Sequence, residues 1–239
     1  MIKLNKSVTM YYVKNIILKT SSALMAVFLC LGFTLISFTF VAYSRSFYEN
    51  QAEKAEALYE LNTTSEELNK ITDAFINYFS FKTNNLQLTF KSGGKDALFF
   101  TENELSHMSD VKELFKNVIA GALSLIITGL IILALLIIVK RKESAKFISF
   151  GLITGCIIAV AVIAVTALTV MTDFDFFFNL FHKIFFPQGN YEVSAGSNIF
   201  CFLSVGTFFD ATLLIAVYSV LFIASMLLTG ILMRRINNR

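Results

Sequence analysis

Four stretches of the chain carry no charged residue: Thr20–Ser44, Asn117–Val139, Phe147–Thr172 and Ala211–Met233. At ~1.5 Å of rise per residue, each is long enough to cross a hydrocarbon core of ~30 Å with room for tilt. The pattern predicts an α-helical integral membrane protein with four transmembrane helices, at residues 20–44, 117–139, 147–172 and 211–233. Around them lie an amino-terminal segment (1–19), a lobe (45–116), a short loop (140–146), a Phe-rich segment (173–210) and a tail (234–239). The first apolar run is too long for the core of a secretory signal. No small-x-small cleavage site follows it, so it reads as a retained span.

Within the lobe the pattern changes. "FYENQAEKAEALYELN" reads as a charged amphipathic helix. "TTSEELNKITDAFINYFS" reads as another, opened by a capping box with Thr64 at the cap and Glu67 three residues on. In "NNLQLTFKSGGKDALFF", Leu86, Leu88 and Phe90 alternate with polar neighbours and "SGGK" supplies a turn, so a short β-hairpin is expected. A second capping box, Thr101 with Glu104, starts a helix that runs without a breaker into the second span. Such a lobe, mostly helical with one hairpin, is small enough to need the membrane part for stability. The later segment "FDFFFNLFHKIFF" has seven Phe in thirteen residues, with Asp173 just ahead of it and Asp175, Asn179, His182 and Lys183 among the rings. It is too polar for a crossing and too apolar for water, and it reads as a re-entrant or interfacial element.

Composition fits this reading: 56% of residues are hydrophobic and 15% charged, well below the charge of ordinary soluble domains. Charge placement then orients the chain. Lys3, Lys6, Lys14 and Lys19 precede the first span; Lys140, Arg141, Lys142 and Lys146 lie between the second and third; Arg234, Arg235 and Arg239 follow the fourth. The two remaining segments are net acidic. By the positive-inside rule both termini are cytoplasmic, and the lobe and the Phe-rich segment are extracellular. The overall charge of +3 is thus spent on orientation and does not point to nucleic acid. Of three cysteines, Cys30 and Cys156 fall inside spans and Cys201 in the Phe-rich segment, which argues against a disulfide framework.

Candidate chemistry rests on two histidines, His107 and His182. At helical spacing Glu104, His107 and Asp110 share a face. A carboxylate one turn away can hold one imidazole nitrogen as N–H and leave the other as a base, so Asp110 is the candidate orienting residue. The alternative is a merely solvated face of a juxtamembrane helix. His182 sits among Phe rings, where an ionisable group is costly unless it meets a polar cavity or partner; the alternative is a snorkelling interfacial side chain. Both imidazoles are expected at similar height on one side of the membrane, as an acid/base pair in a Phe-lined cleft. Serine-elbow, P-loop, H-E-x-x-H and C-x-x-C motifs are missing. A metal-dependent membrane hydrolase using His107, His182 and Asp110 or Asp173 stays open in ligand count, without supporting local spacing. A transporter or accessory subunit is the non-enzymatic alternative, against which the charge-free spans speak.

"ELSHMSDVKELF" leading into the second span, "FHKIFF" after the third, and a large first outer loop resemble the lipoprotein intramolecular transacylases of Gram-positive bacteria. The resemblance covers essentially the whole chain. It implies a bacterial cell-membrane acyltransferase that moves the sn-2 acyl chain of a diacylglyceryl-cysteine lipoprotein to that lipoprotein's own N-terminal amine, yielding the lyso form. His107 and His182 would be its catalytic pair, with no cofactor and with a diacylated lipoprotein and the phospholipid bilayer as partners. The chain departs from the family pattern downstream: Tyr191 stands for a Trp, Ala195 for a Pro, and Ser194 and Asn198 where acids are usual, while the length to Phe208–Phe209 is kept.

Overall fold

The computed structural model describes residues 6–192, 194 and 196–238; Lys3, Ala195 and Arg239 lie outside the described residues. The chain is mostly helical: α1 (Lys6–Ala42), α2 (Arg45–Lys54), α3 (Ala57–Glu60), α4 (Ser65–Phe79), strands β1 (Thr89–Ser92) and β2 (Lys95–Leu98), α5 (Glu102–Lys140), α6 (Ser144–Thr172), α7 (Phe174–Phe185), α8 (Asn198–Phe202) and α9 (Val205–Asn237). Among the described residues, three helical stretches are long and apolar enough to cross a membrane: Val8–Ala42, Glu102–Thr172 and Val205–Asn237. The middle one is 71 residues and contains both α5 and α6, joined through a 3-10 turn at Arg141–Glu143. Arg141 opens that turn with φ 38°. The chain divides into two compact units, one from Met1–Ile36, Ala120–Thr166 and Ala216–Arg239, the other from Ser37–Ile119 and Ala167–Ile215.

In the first unit, parts of α1, α5, α6 and α9 pack through small and apolar side chains. Met25 and Ala26 of α1, Leu136 of α5 and Phe147, Ile148 and Leu152 of α6 form one buried cluster. Cys30, Cys156, Ala159 and Ile223 form another. Because Leu136 and Phe147 meet in one cluster, the 3-10 turn folds α6 back onto α5. The close approach of α1 and α6 depends on Gly151, where a Cβ would stand 2.2 Å from the Ser22 carbonyl oxygen. Small residues at helix contacts are what brings backbones together in lipid, where apolar burial offers little drive. The outward faces keep large exposed apolar groups such as Ile127, Ile131, Val162 and Val165. Helices that are apolar all round have lipid as their solvent.

The second unit is built on an aromatic core. Phe75 of α4 is fully buried and meets Phe202 of α8 at 5.3 Å and Phe100 at 5.6 Å between ring centroids. Thr64 caps α4 as its sequence predicts, accepting from the Glu67 N–H. Glu67 does not close the box. Its carboxylate accepts instead from Lys70 and from the Lys91 N–H of β1, tying helix to hairpin. The hairpin pairs Ser92 with Lys95 across Gly93 and Gly94, at φ 56° and 79°. Two successive left-handed residues define a two-residue hairpin turn whose twist suits the strands, and glycine reaches it without steric cost. The helix expected over "FYENQAEKAEALYELN" is broken: Glu56 takes φ 50° between α2 and α3. The break seats Ala57 and Leu61 in the aromatic core, where both are almost fully buried. Local helical period is overridden there by core packing.

Candidate functional site

His107 is carried by the first turns of α5. The Thr101–Glu104 capping box forms in full: Thr101 Oγ1 accepts from the Glu104 N–H, and Glu104 Oε2 accepts from the Thr101 N–H at 2.8 Å. This fixes where the helix starts, and so which face His107 presents. His182 lies on α7, whose N-cap is Asp173, accepting from the Phe176 N–H at 2.9 Å. α7 is amphipathic. Phe176, Leu180 and Ile184 form an exposed apolar stripe, and His182 is buried on another face.

The two imidazoles converge. Their ring centroids are 5.9 Å apart, and His107 and His182 are 5% and 8% exposed as residues. Phe186 stands edge-on to His107 at 4.7 Å and also meets His182 at 5.6 Å. Phe178 and Tyr191 flank His182 at 4.1 and 4.9 Å. His182 Nδ1 lies 2.8 Å from the Phe178 carbonyl oxygen. A carbonyl only accepts, so Nδ1 carries the proton and Nε2 keeps its lone pair. Burial and then the neighbouring His182 push His107 from the ordinary ~6.5 down to about 4, with Asp110 and Asn190 pulling the other way. Burial lowers His182 as well, opposed by its bond to Phe178. Both rings are therefore neutral at neutral pH.

The carboxylates predicted to share a face with His107 are engaged elsewhere. Glu104 is spent on the cap. Asp110 Oδ2 accepts from Gln188 Nε2 at 2.7 Å and from Asn190 Nδ2 at 2.6 Å. Asp110 thus binds the turn that follows α7 rather than the imidazole itself. Asp173 is spent on the α7 cap, and among the described residues no three His, Cys, Asp or Glu side chains are grouped to hold a metal. Gln188 and Asn190 escaped the sequence reading; the polar "PQGN" run directly after the Phe block was the available signal. A separate cavity of about 630 Å³, lined by Glu49, Glu53 and Glu56 among others, contains neither histidine.

The model of the family described as "Lipoprotein intramolecular transacylase Lit" matches residues 23–192, well over half of the chain. The chain belongs to the lipoprotein intramolecular transacylase family. It is therefore a membrane-integral enzyme of the transferase class. Two solved structures are similar to it, both of the membrane integral lipoprotein intramolecular transacylase Lit from Bacillus cereus. One has a TM-score of 0.71 at 18% identity, covering 94% of this chain and 95% of that one. The other, carrying a histidine-to-arginine mutation, has a TM-score of 0.73 at 18% identity, covering 97% of this chain and 100% of that one. A search of curated proteins matched none of them. At this identity the structural likeness speaks for the fold.

Proposed function

We propose that this enzyme moves the sn-2 acyl chain of a diacylglyceryl-cysteine lipoprotein onto the lipoprotein's own N-terminal amine, with His107 and His182 as the acid/base pair. The observation that carries the proposal is the meeting of two buried, neutral imidazoles within 5.9 Å of each other, from segments far apart in sequence. The amine nitrogen attacks the ester carbonyl carbon, and an N–C bond forms as the carbonyl oxygen takes negative charge. One imidazole removes the amine proton. The C–O bond to glycerol then breaks, and the proton passes to the departing oxygen, leaving an amide and a free glycerol hydroxyl. His182, whose Nε2 lone pair is set by the Phe178 carbonyl, is suited to receive that proton. His107 acts at the same centre, oriented by Asp110. Amine and ester belong to one molecule, so proximity supplies much of the rate and no enzyme nucleophile is required.

The proposal places four crossings in the bacterial cell membrane, with α5 and α6 as separate spans broken at Arg141–Glu143, both termini cytoplasmic and the site at the outer face. The run of Lys140, Arg141 and Lys142 at that break supports a cytoplasmic turn. The exposed stripe of Phe176, Leu180 and Ile184 supports contact of α7 with acyl chains. Mass spectrometry of lipoproteins from cells expressing the chain tests the chemistry. Wild type should yield N-acylated lyso-form lipoprotein, and His107→Ala and His182→Ala should not. A normal lyso product from either variant overturns the acid/base assignment.

A further inference from the structure

Two buried side-chain atoms among the described residues lack a hydrogen-bond partner, and both are at this site: His107 Nδ1 and Asn190 Oδ1. One can donate, the other can only accept. Asn190 is laid along one face of α5. Its backbone carbonyl accepts from Asn103 Nδ2 at 3.2 Å, and its own Nδ2 donates to Asp110 Oδ2 at 2.6 Å and to Ser106 Oγ at 3.4 Å. Residues 103 and 110 flank His107 on the helix, four positions before it and three after, since positions three and four apart are neighbours. Asn190 is near enough to favour the protonated His107 ring, though the two atoms do not meet the geometry of a hydrogen bond.

We infer that Asn190 is the positioning residue for His107: Asp110 fixes the Asn190 amide, and the amide oxygen holds the His107 proton on Nδ1, leaving Nε2 as the lone-pair nitrogen. The direction of each bond follows from what the groups can do. An ionised carboxylate only accepts, so the amide must turn its NH2 to Asp110; the flipped amide would set two acceptors 2.6 Å apart. The oxygen is then left on the side of the ring, and the partner it needs is an N–H. Asp110 therefore acts on His107 through Asn190. The arrangement gives both imidazoles the same sense, Nδ1–H held by the protein and Nε2 open. Resting on the proposed function, this means that the two lone pairs can accept both hydrogens of the attacking amine and aim its own lone pair at the ester. It also removes neutral His107 as a hydrogen-bond donor to the carbonyl.

The test is the tautomer. With two histidines in the chain, histidine-selective 15N labelling of the full-length protein in lipid nanodiscs gives two imidazole spin systems. A protonated and a lone-pair ring nitrogen are far apart in shift. Wild type should show His107 protonated on Nδ1. Asn190→Ala should move the proton to Nε2, and Asp110→Asn should give a mixture, because the amide is then free to turn. His182 is the folding control, since its proton is held by its own helix and should stay on Nδ1 in every variant. In the acyl-transfer assay Asn190→Ala should lose about 10- to 100-fold in kcat with KM little changed, as expected of a misaligned base. An Nε2-protonated His107 in wild type, or a tautomer unmoved in Asn190→Ala, overturns the inference. If the tautomer behaves as expected while His107→Ala still makes lyso product, the catalytic proposal fails and the positioning stands.

Discussion

Burial holds His107 neutral, and that has a consequence for stability as the medium is acidified. The unfolded chain titrates this ring near ~6.5, whereas in the folded protein it is depressed to about 4. Between those values the unfolded state binds a proton that the folded state refuses, so stability rises with pH across the window and is lost as pH falls through it. From pH 7 to pH 5 the loss from this ring is about 2 kcal/mol at full strength, and water reaching the cleft reduces it. For a chain of this length that corresponds to on the order of 5 °C in Tm. His182, lowered in the same direction, adds to the slope. Thermal unfolding of wild type and His107→Gln, followed by circular dichroism in one detergent at pH 7 and pH 5, isolates the His107 share. Titrating groups that do not interact with His107 cancel in the double difference. Wild type should lose more Tm on acidification than the variant. Equal losses would refute the argument that His107 is buried and neutral.

Three further outcomes follow from the packing. Phe75→Ala removes the centre of the aromatic core and should cost about 3–5 kcal/mol, read as a lowered unfolding temperature, whereas truncating the exposed Tyr59 should cost little. Gly151→Ala forces a methyl against the Ser22 carbonyl and should destabilise by about 1–3 kcal/mol, measured by thermal denaturation in detergent; an unchanged midpoint would mean that α1 and α6 are not in close contact. Cys30 and Cys156, buried with their Sγ atoms 4.0 Å apart, should resist a maleimide in the folded protein, while the half-exposed Cys201 should react first.

Much of the local structure was legible because its causes are local. The uncharged runs, both capping-box starts and the "SGGK" turn depend on residues within a few positions of one another, and each has its helix or hairpin in the structure. The break at Glu56 was not legible: a continuous amphipathic period runs through it, and only the demand of the core for Ala57 and Leu61 interrupts the helix. The functions of the carboxylates were hidden for the same reason. Helical spacing places Asp110 one turn from His107, and nothing near it in sequence reveals that Gln188 and Asn190 arrive from beyond α7 to claim its oxygen.

The sequence by itself determined that the chain is a membrane protein with two histidines in polar and aromatic settings, since hydropathy and residue chemistry are properties of a segment alone. Only the tertiary structure decided that α5 and α7 bring those rings within 5.9 Å. It also decided that Asp110 faces Gln188 and Asn190, because partners that arrive from beyond α7 are set by packing that no spacing rule can supply.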